Sequence, residues 1–133
     1  MRRTLSRLLI FLGWSLYATA LLCPAMAHAC GDWSGARCLV ATLCAFPFWL
    51  MWPVMTFGIA NLALLASPFV YCSQGGPECR AYGVFLFLCT LASLQALWWD
   101  PLVGCYLWIL SLFATATGFL LAVDTERTEK TPV

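Results

Sequence analysis

The chain has 133 residues, of which 62% are hydrophobic, 15% aromatic and only 10% charged. A soluble domain usually has about a quarter of its residues charged, so this composition argues against a water-soluble monomer. Seven Lys and Arg against six Asp and Glu leave a net charge of +1, which is too small to hold a nucleic-acid backbone. The composition predicts an all-α membrane protein, a small polytopic helical bundle of about four transmembrane helices.

The first predicted element lies within residues 1–29. An apolar run over residues 8–23 follows three arginines at positions 2, 3 and 7. The small-x-small pattern Ala27-His28-Ala29 precedes Cys30, as it does in a cleavable secretory signal peptide. The run can also be extended to Met26, which gives the roughly 20 residues that a spanning helix needs. A retained anchor helix and a cleaved signal peptide stay open as alternatives.

Residues 38–72 form the next apolar stretch and contain no Asp, Glu, Lys or Arg. As one helix this stretch would be about 52 Å long, whereas the membrane core is about 30 Å thick. One interpretation crosses the membrane once, from residue 38 to about Gly58, and then places residues 59–71 along the interface or back into the membrane. The other crosses twice and turns at Trp52-Pro53. We interpret Asn61, close to Gly58, as part of a helix break; the other candidate breaks are Pro47 and Ser67-Pro68.

Two further spans are predicted at residues 81–99 and 102–123. Asp100-Pro101 joins them, and Pro101 is expected in the first turn of the last helix, where no amide donor is needed. Small residues recur along one face of the last span, where they let another backbone approach closely: Gly104, Ser111, Thr115, Gly118 and Ala122. This packing seam serves the protein's own bundle, which we favour, or a neighbouring subunit.

Basic residues distinguish the two topologies. With one crossing in residues 38–72, only Arg37 lies outside, and six basic residues share the cytoplasmic side: Arg2, Arg3, Arg7, Arg80, Arg127 and Lys130. With two crossings the division is nearly even. The positive-inside rule therefore favours four spans with both termini in the cytoplasm. We predict a multi-pass protein of the bacterial inner membrane, with a bundle in residues 30–123 and a polar cytoplasmic tail in residues 124–133.

Eight cysteines occur in the chain, and two pairs flank short loops. Cys30 and Cys38 share the predicted outer loop, where an oxidising compartment permits a disulfide. Cys72 and Cys79 are the second candidate pair, and they flank a turn-rich loop that faces the cytoplasm in the four-span topology. No C-x-x-C motif occurs in the sequence, and neither a metal site nor a cofactor is predicted.

The predicted spans lack the acidic and basic side chains that pumps and proton-coupled transporters place inside the membrane. We therefore expect no intrinsic catalysis and no nucleic-acid partner. The sequence favours an accessory, assembly or immunity-type subunit that contacts other membrane-protein subunits in the lipid bilayer through its helices. One alternative is a membrane thiol-disulfide oxidoreductase that uses the outer cysteines. The other is a small soft-metal transporter, whose candidate ligands are His28, Cys30, Asp32 and Cys38, with Cys23 and Cys105 at a similar depth.

Overall fold

The computed structural model describes residues 2–27, 32–44, 52–73, 77–98 and 101–129. This part of the chain is mostly helical, which confirms the all-α class. Its five α-helices are α1 (Arg2–Leu22), α2 (Gly35–Cys44), α3 (Trp52–Ser73), α4 (Pro77–Ser93) and α5 (Val103–Glu129). A 3₁₀ helix, Leu94–Trp98, extends α4, and two short antiparallel strands, β1 (Pro24–Met26) and β2 (Trp33–Ser34), connect α1 to α2.

Three of these helices are long and apolar enough to cross a membrane. The qualifying segments are Arg3–Leu22, Glu78–Trp98 and Val103–Ala122. Gly35–Cys44 and Thr56–Cys72 are shorter apolar helices. The last helix continues past residue 123 to Glu129, so the first part of the predicted polar tail is helical.

The aromatic contacts show that α3 runs parallel to α5. Phe57 lies 5.7 Å from Trp108 between ring centroids, and further along both helices Tyr71 lies 5.8 Å from Phe119. Helix α1 runs in the opposite direction, because Ser6 near its beginning donates a hydrogen bond of 2.8 Å to the carbonyl of Gly118 near the end of α5.

Helix α4 also runs opposite to α5. The Tyr82 ring, near the beginning of α4, lies 5.2 Å from Phe119, while Gln95, beyond its end, donates a hydrogen bond of 2.6 Å to Thr56 at the start of α3. The beginnings of α1 and α4 therefore share one end of the bundle with the ends of α3 and α5. We call this the terminal end. The opposite end, which holds β1, β2 and the beginnings of α2 and α5, is the ribbon end.

Backbone hydrogen bonds fasten the ribbon end to the helices. The amide of Gly35 donates to the carbonyl of Cys23 at 2.9 Å, and the amide of Leu102 donates to the carbonyl of Ala25 at 3.0 Å. Pro101 pairs with Met26 in an isolated β-bridge. The expectation that Pro101 lies in the first turn of the last helix is wrong, because α5 begins at Val103 and the bridge holds Pro101 outside it.

Helix α3 is continuous through Gly58 and Asn61, so the predicted break at these residues is wrong. It also passes through Pro68, which has no amide hydrogen to donate to the carbonyl of Leu64. The Ser67 hydroxyl donates to that carbonyl at 2.7 Å and in turn accepts a hydrogen bond of 2.9 Å from the Trp14 indole of α1. The helix therefore continues because a neighbouring hydroxyl replaces the missing donor. Pro47 lies outside the described residues.

Candidate functional site

Two regions could carry function: the predicted packing seam of α5 and a cavity at the ribbon end. At one end of the seam, a Cβ atom on Gly118 would lie 2.6 Å from Ile10 Cγ1 and 3.1 Å from the carbonyl oxygen of Ser6. At the other end, a Cβ on Gly104 would lie 2.8 Å from the carbonyl oxygen of Pro24. Helix α1 and β1 therefore lie directly against the small residues of α5.

The hydroxyl groups of the seam donate hydrogen bonds to backbone carbonyls of α5 itself. Ser111 and Thr115 are fully buried. Thr115 donates to the carbonyl of Ser111 at 2.8 Å, and Ser111 donates to the carbonyl of Trp108 at 2.6 Å. Gly13 of α1 lies directly against the Thr115 side chain. Ala122, the last predicted member of the seam, is half-buried. Within the described residues, Gly104 and Gly118 of the seam thus lie against β1 and α1 of the same chain.

Asn61 is the polar centre where α1, α3 and α5 meet. Its Oδ1 accepts a hydrogen bond from the Tyr17 hydroxyl at 3.1 Å and a second from the Trp108 indole at 3.1 Å. Its Nδ2 donates to the carbonyl of Phe57 at 3.0 Å. Buried amides are costly unless they are paired, and this one is paired on both of its polar atoms.

A cavity of about 80 Å³ lies beside Asn61 at the ribbon end. Residues of α1, β1, α2, α3, α5 and the 3₁₀ helix line it, and most of them are apolar or small. Three sulfur-containing side chains also line it: Met26, Cys38 and Cys105. This volume is well below the roughly 300 Å³ at which pockets for drug-sized ligands begin, so it suits an ion or a few water molecules.

The predicted cysteine pairs are not joined in this structure. Cys38 and Cys72 both carry free thiols. The two members of the second candidate pair lie in different environments: Cys72 is exposed at the end of α3, whereas Cys79 is buried in the core. Cys30 and His28 lie outside the described residues. Burial raises the pKa of the Cys38 thiol above its ordinary value.

Of the four candidate metal ligands, only Asp32 and Cys38 lie within the described residues. Asp32 is exposed there, and no group of three or more His, Cys, Asp or Glu side chains that could hold a metal occurs within residues 2–27, 32–44, 52–73, 77–98 and 101–129. Cysteine spacing along the chain predicts pairs across short loops and does not predict that Cys38 and Cys105 line the same cavity. The only available signal was their shared depth near the outer side.

No family model, curated protein or solved structure matches this chain. No residue role can therefore be carried over from a relative.

Proposed function

We propose that the chain is a four-span protein of the bacterial inner membrane, with α1, α3, α4 and α5 as the spans. The apolar segment Thr56–Cys72 of α3 is shorter than the three spans named above, but all 22 residues of α3 extend about 33 Å at 1.5 Å per residue, which is close to the thickness of the membrane core. Arg3, Arg7 and Arg80 are exposed near the terminal end, and Arg37 is exposed at the ribbon end. By the positive-inside rule the terminal end faces the cytoplasm.

Within this proposal, residues 1–29 are a retained anchor helix. The support is that α1 fills the seam of α5 and contributes buried side chains to the bundle, among them Ile10 and Tyr17. Removal of α1 would leave the Asn61 and Ser67 side chains without their partners on that helix. The mass of the protein purified from membranes tests this point. A mass that includes residues 1–29 supports retention, and a mass that begins at Cys30 contradicts it.

We further propose that the protein is an accessory, assembly or immunity-type subunit that acts through helix–helix contacts with other membrane proteins. One observation carries this proposal: in the part of the chain that the structure describes, every buried side-chain nitrogen and oxygen has a hydrogen-bond partner. The polar groups of the bundle thus maintain its own structure. The surface left for other proteins is the exposed apolar side of the helices.

Three such faces can be compared experimentally. The α1 face carries Leu8, Phe11 and Leu12; the α4 face carries Val84, Leu88 and Leu91; the α4–α5 face carries Phe87, Leu110 and Phe113. On the α4–α5 face, the rings of Phe87 and Phe113 lie 6.3 Å apart between centroids. The residues named on these faces are all apolar and carry no charge. Shape and packing would therefore decide which face a partner helix selects.

Affinity purification in mild detergent tests the proposal, with one alanine variant for each face: Phe11→Ala, Leu88→Ala and Phe113→Ala. We expect the wild-type chain to co-purify with a larger membrane complex. One variant should lose that association while its helical circular dichroism is unchanged, and the other two serve as its matched controls. A wild-type chain that purifies alone contradicts the proposal, as does equal association of all three variants. Gly118→Leu is unsuitable here because it disrupts the contact between α1 and α5.

A further inference from the structure

Three sulfur-containing residues from distant parts of the sequence line the ribbon-end cavity. Cys38 comes from α2, Cys105 from α5 and Met26 from β1, and all three line the same volume of about 80 Å³. Cys105 is 4% exposed, whereas Cys38 and Met26 are half-buried. Cys105 is therefore shielded from solvent, whereas the Cys38 and Met26 side chains are partly accessible to an entering ion.

Both cysteines lie in the first turn of a helix. Cys38 is the fourth residue of α2, which begins at Gly35, and Cys105 is the third residue of α5, which begins at Val103. The beginning of a helix carries a partial positive charge of about half an elementary charge, which favours a negatively charged metal–ligand unit nearby. Two helix beginnings that converge on one cavity together offset about one negative charge.

We propose that the ribbon-end cavity binds one Cu(I) ion through the Cys38 and Cys105 thiolates, with the Met26 thioether as the third ligand. Thiolates and thioethers are the ligands that Cu(I) prefers. On binding, each thiol releases one proton to solvent, and the ion with two thiolates carries a net charge of −1. The partial positive charges of the two helix beginnings are opposite in sign to this charge and together similar to it in size.

The residues around the cavity disfavour zinc. Structural zinc is almost always bound by four ligands, drawn from Cys, His and carboxylates. The described residues that line the cavity include two cysteines and no His, Asp or Glu. Three sulfur ligands suit an ion that accepts a low coordination number.

A competition titration tests the site. The full chain is purified in detergent under a non-coordinating reductant, and Cu(I) is supplied from a chromogenic chelator of known affinity. We expect one equivalent to bind with a charge-transfer band typical of thiolate–Cu(I) bonds. Cys38→Ala and Cys105→Ala should each weaken binding by more than about tenfold, which corresponds to about 1.4 kcal/mol. Cys44→Ala and Cys72→Ala remove exposed free thiols and should leave the affinity unchanged.

A second readout needs no variant and so does not depend on how the variants fold. Cu(I) should protect Cys38 from alkylation in the wild-type chain, as judged by mass spectrometry, while Cys44 and Cys72 stay reactive. Three results would overturn the proposal: no binding of one equivalent, binding that survives Cys38→Ala and Cys105→Ala, or a disulfide between Cys38 and Cys105 in protein prepared without reductant.

Discussion

Tyr17 of α1 and Trp108 of α5 donate hydrogen bonds to the same atom, Oδ1 of Asn61, each at 3.1 Å. The shared acceptor lies on α3, so one side chain fixes the relative positions of three helices. In an apolar bundle, packing of apolar side chains alone does not specify how the helices align along their axes. The shared hydrogen bonds to Asn61 specify this alignment. Asn61 is 7% exposed and Tyr17 is 2% exposed, so water does not replace either partner readily.

Replacement of Asn61 with Leu is expected to lower the free energy of unfolding by about 1–3 kcal/mol, because the buried Tyr17 hydroxyl loses its acceptor. The measurement is helical circular dichroism during titration with a denaturing detergent. In a Tyr17→Phe background the donor is already absent, so the cost of Asn61→Leu should fall. Ser15→Ala, which removes an exposed hydroxyl bonded within α1, is the control. Equal costs in both backgrounds would contradict the shared hydrogen bond.

Gly118→Ala should destabilise the bundle by about 1–3 kcal/mol, because the added Cβ would lie 2.6 Å from Ile10 Cγ1. The free energy of unfolding is measured in the same detergent titration. Ile10→Ala removes the Cγ1 atom, so the double variant should be less destabilised than the sum of the two single variants. Thr117→Ala, on the neighbouring position of α5, should have little effect. Strict additivity at Gly118 and Ile10 would show that α1 does not occupy the seam.

Ser67→Ala is expected to cost about 1–2 kcal/mol, because it leaves the carbonyl of Leu64 and the indole of Trp14 without their partner. The cost should shrink when Pro68 is replaced with Ala, since the new amide can donate to the Leu64 carbonyl. The measurement is the free energy of unfolding, followed by circular dichroism, of the wild type, the two single variants and the double variant. The difference between the two costs of Ser67→Ala is the coupling energy of Ser67 and Pro68. The account is wrong if Pro68→Ala leaves the cost of Ser67→Ala unchanged.

The three helices that satisfy the length and hydropathy criteria for a span were predictable from the sequence. Residues 81–99 and 102–123 are uninterrupted apolar runs, and each falls close to an observed helix. Residues 38–72 were not predictable in the same way, because Gly58 and Pro68 are typical helix breakers. Pro68 stays within α3 because the Ser67 hydroxyl donates to the Leu64 carbonyl. The Ser67 hydroxyl in turn accepts a hydrogen bond from Trp14, which is on another helix.

The packing seam could be predicted from the sequence, whereas the ribbon-end cavity could not, again because one is local and the other depends on tertiary contacts. The small residues of α5 recur along one helix, so a local pattern predicts their common face. The ribbon-end cavity joins Met26, Cys38 and Cys105, whose proximity depends on the folded positions of β1, α2 and α5. The spacing of these residues in the sequence does not predict that they line one cavity. Pairing cysteines by nearness in the chain therefore pointed to Cys30–Cys38 and Cys72–Cys79 instead.

Alkylation of Cys38 should depend on pH in a way that reflects its burial. Burial raises the pKa of this thiol, so less of it is in the reactive thiolate form at neutral pH. We expect the rate of Cys38 alkylation to keep rising at pH values above the ordinary thiol pKa of about 8.5. Quantitative mass spectrometry of iodoacetamide-treated protein across a pH series measures this, with the exposed Cys44 as the internal reference. A midpoint below the ordinary value would contradict the prediction.

The most direct test of the proposed topology is labelling of intact cells with a membrane-impermeant maleimide. Two variants share the buried cysteines and have Cys23, Cys30, Cys38 and Cys44 replaced with Ala. The first keeps Cys72, which is exposed near the terminal end. The second carries Cys72→Ala and Asp32→Cys, which moves the exposed thiol to the ribbon end.

Four spans with a cytoplasmic terminal end predict that the Asp32→Cys variant is labelled in intact cells, whereas Cys72 is labelled only after lysis. Labelling of Cys72 in intact cells would place the terminal end outside and contradict this topology.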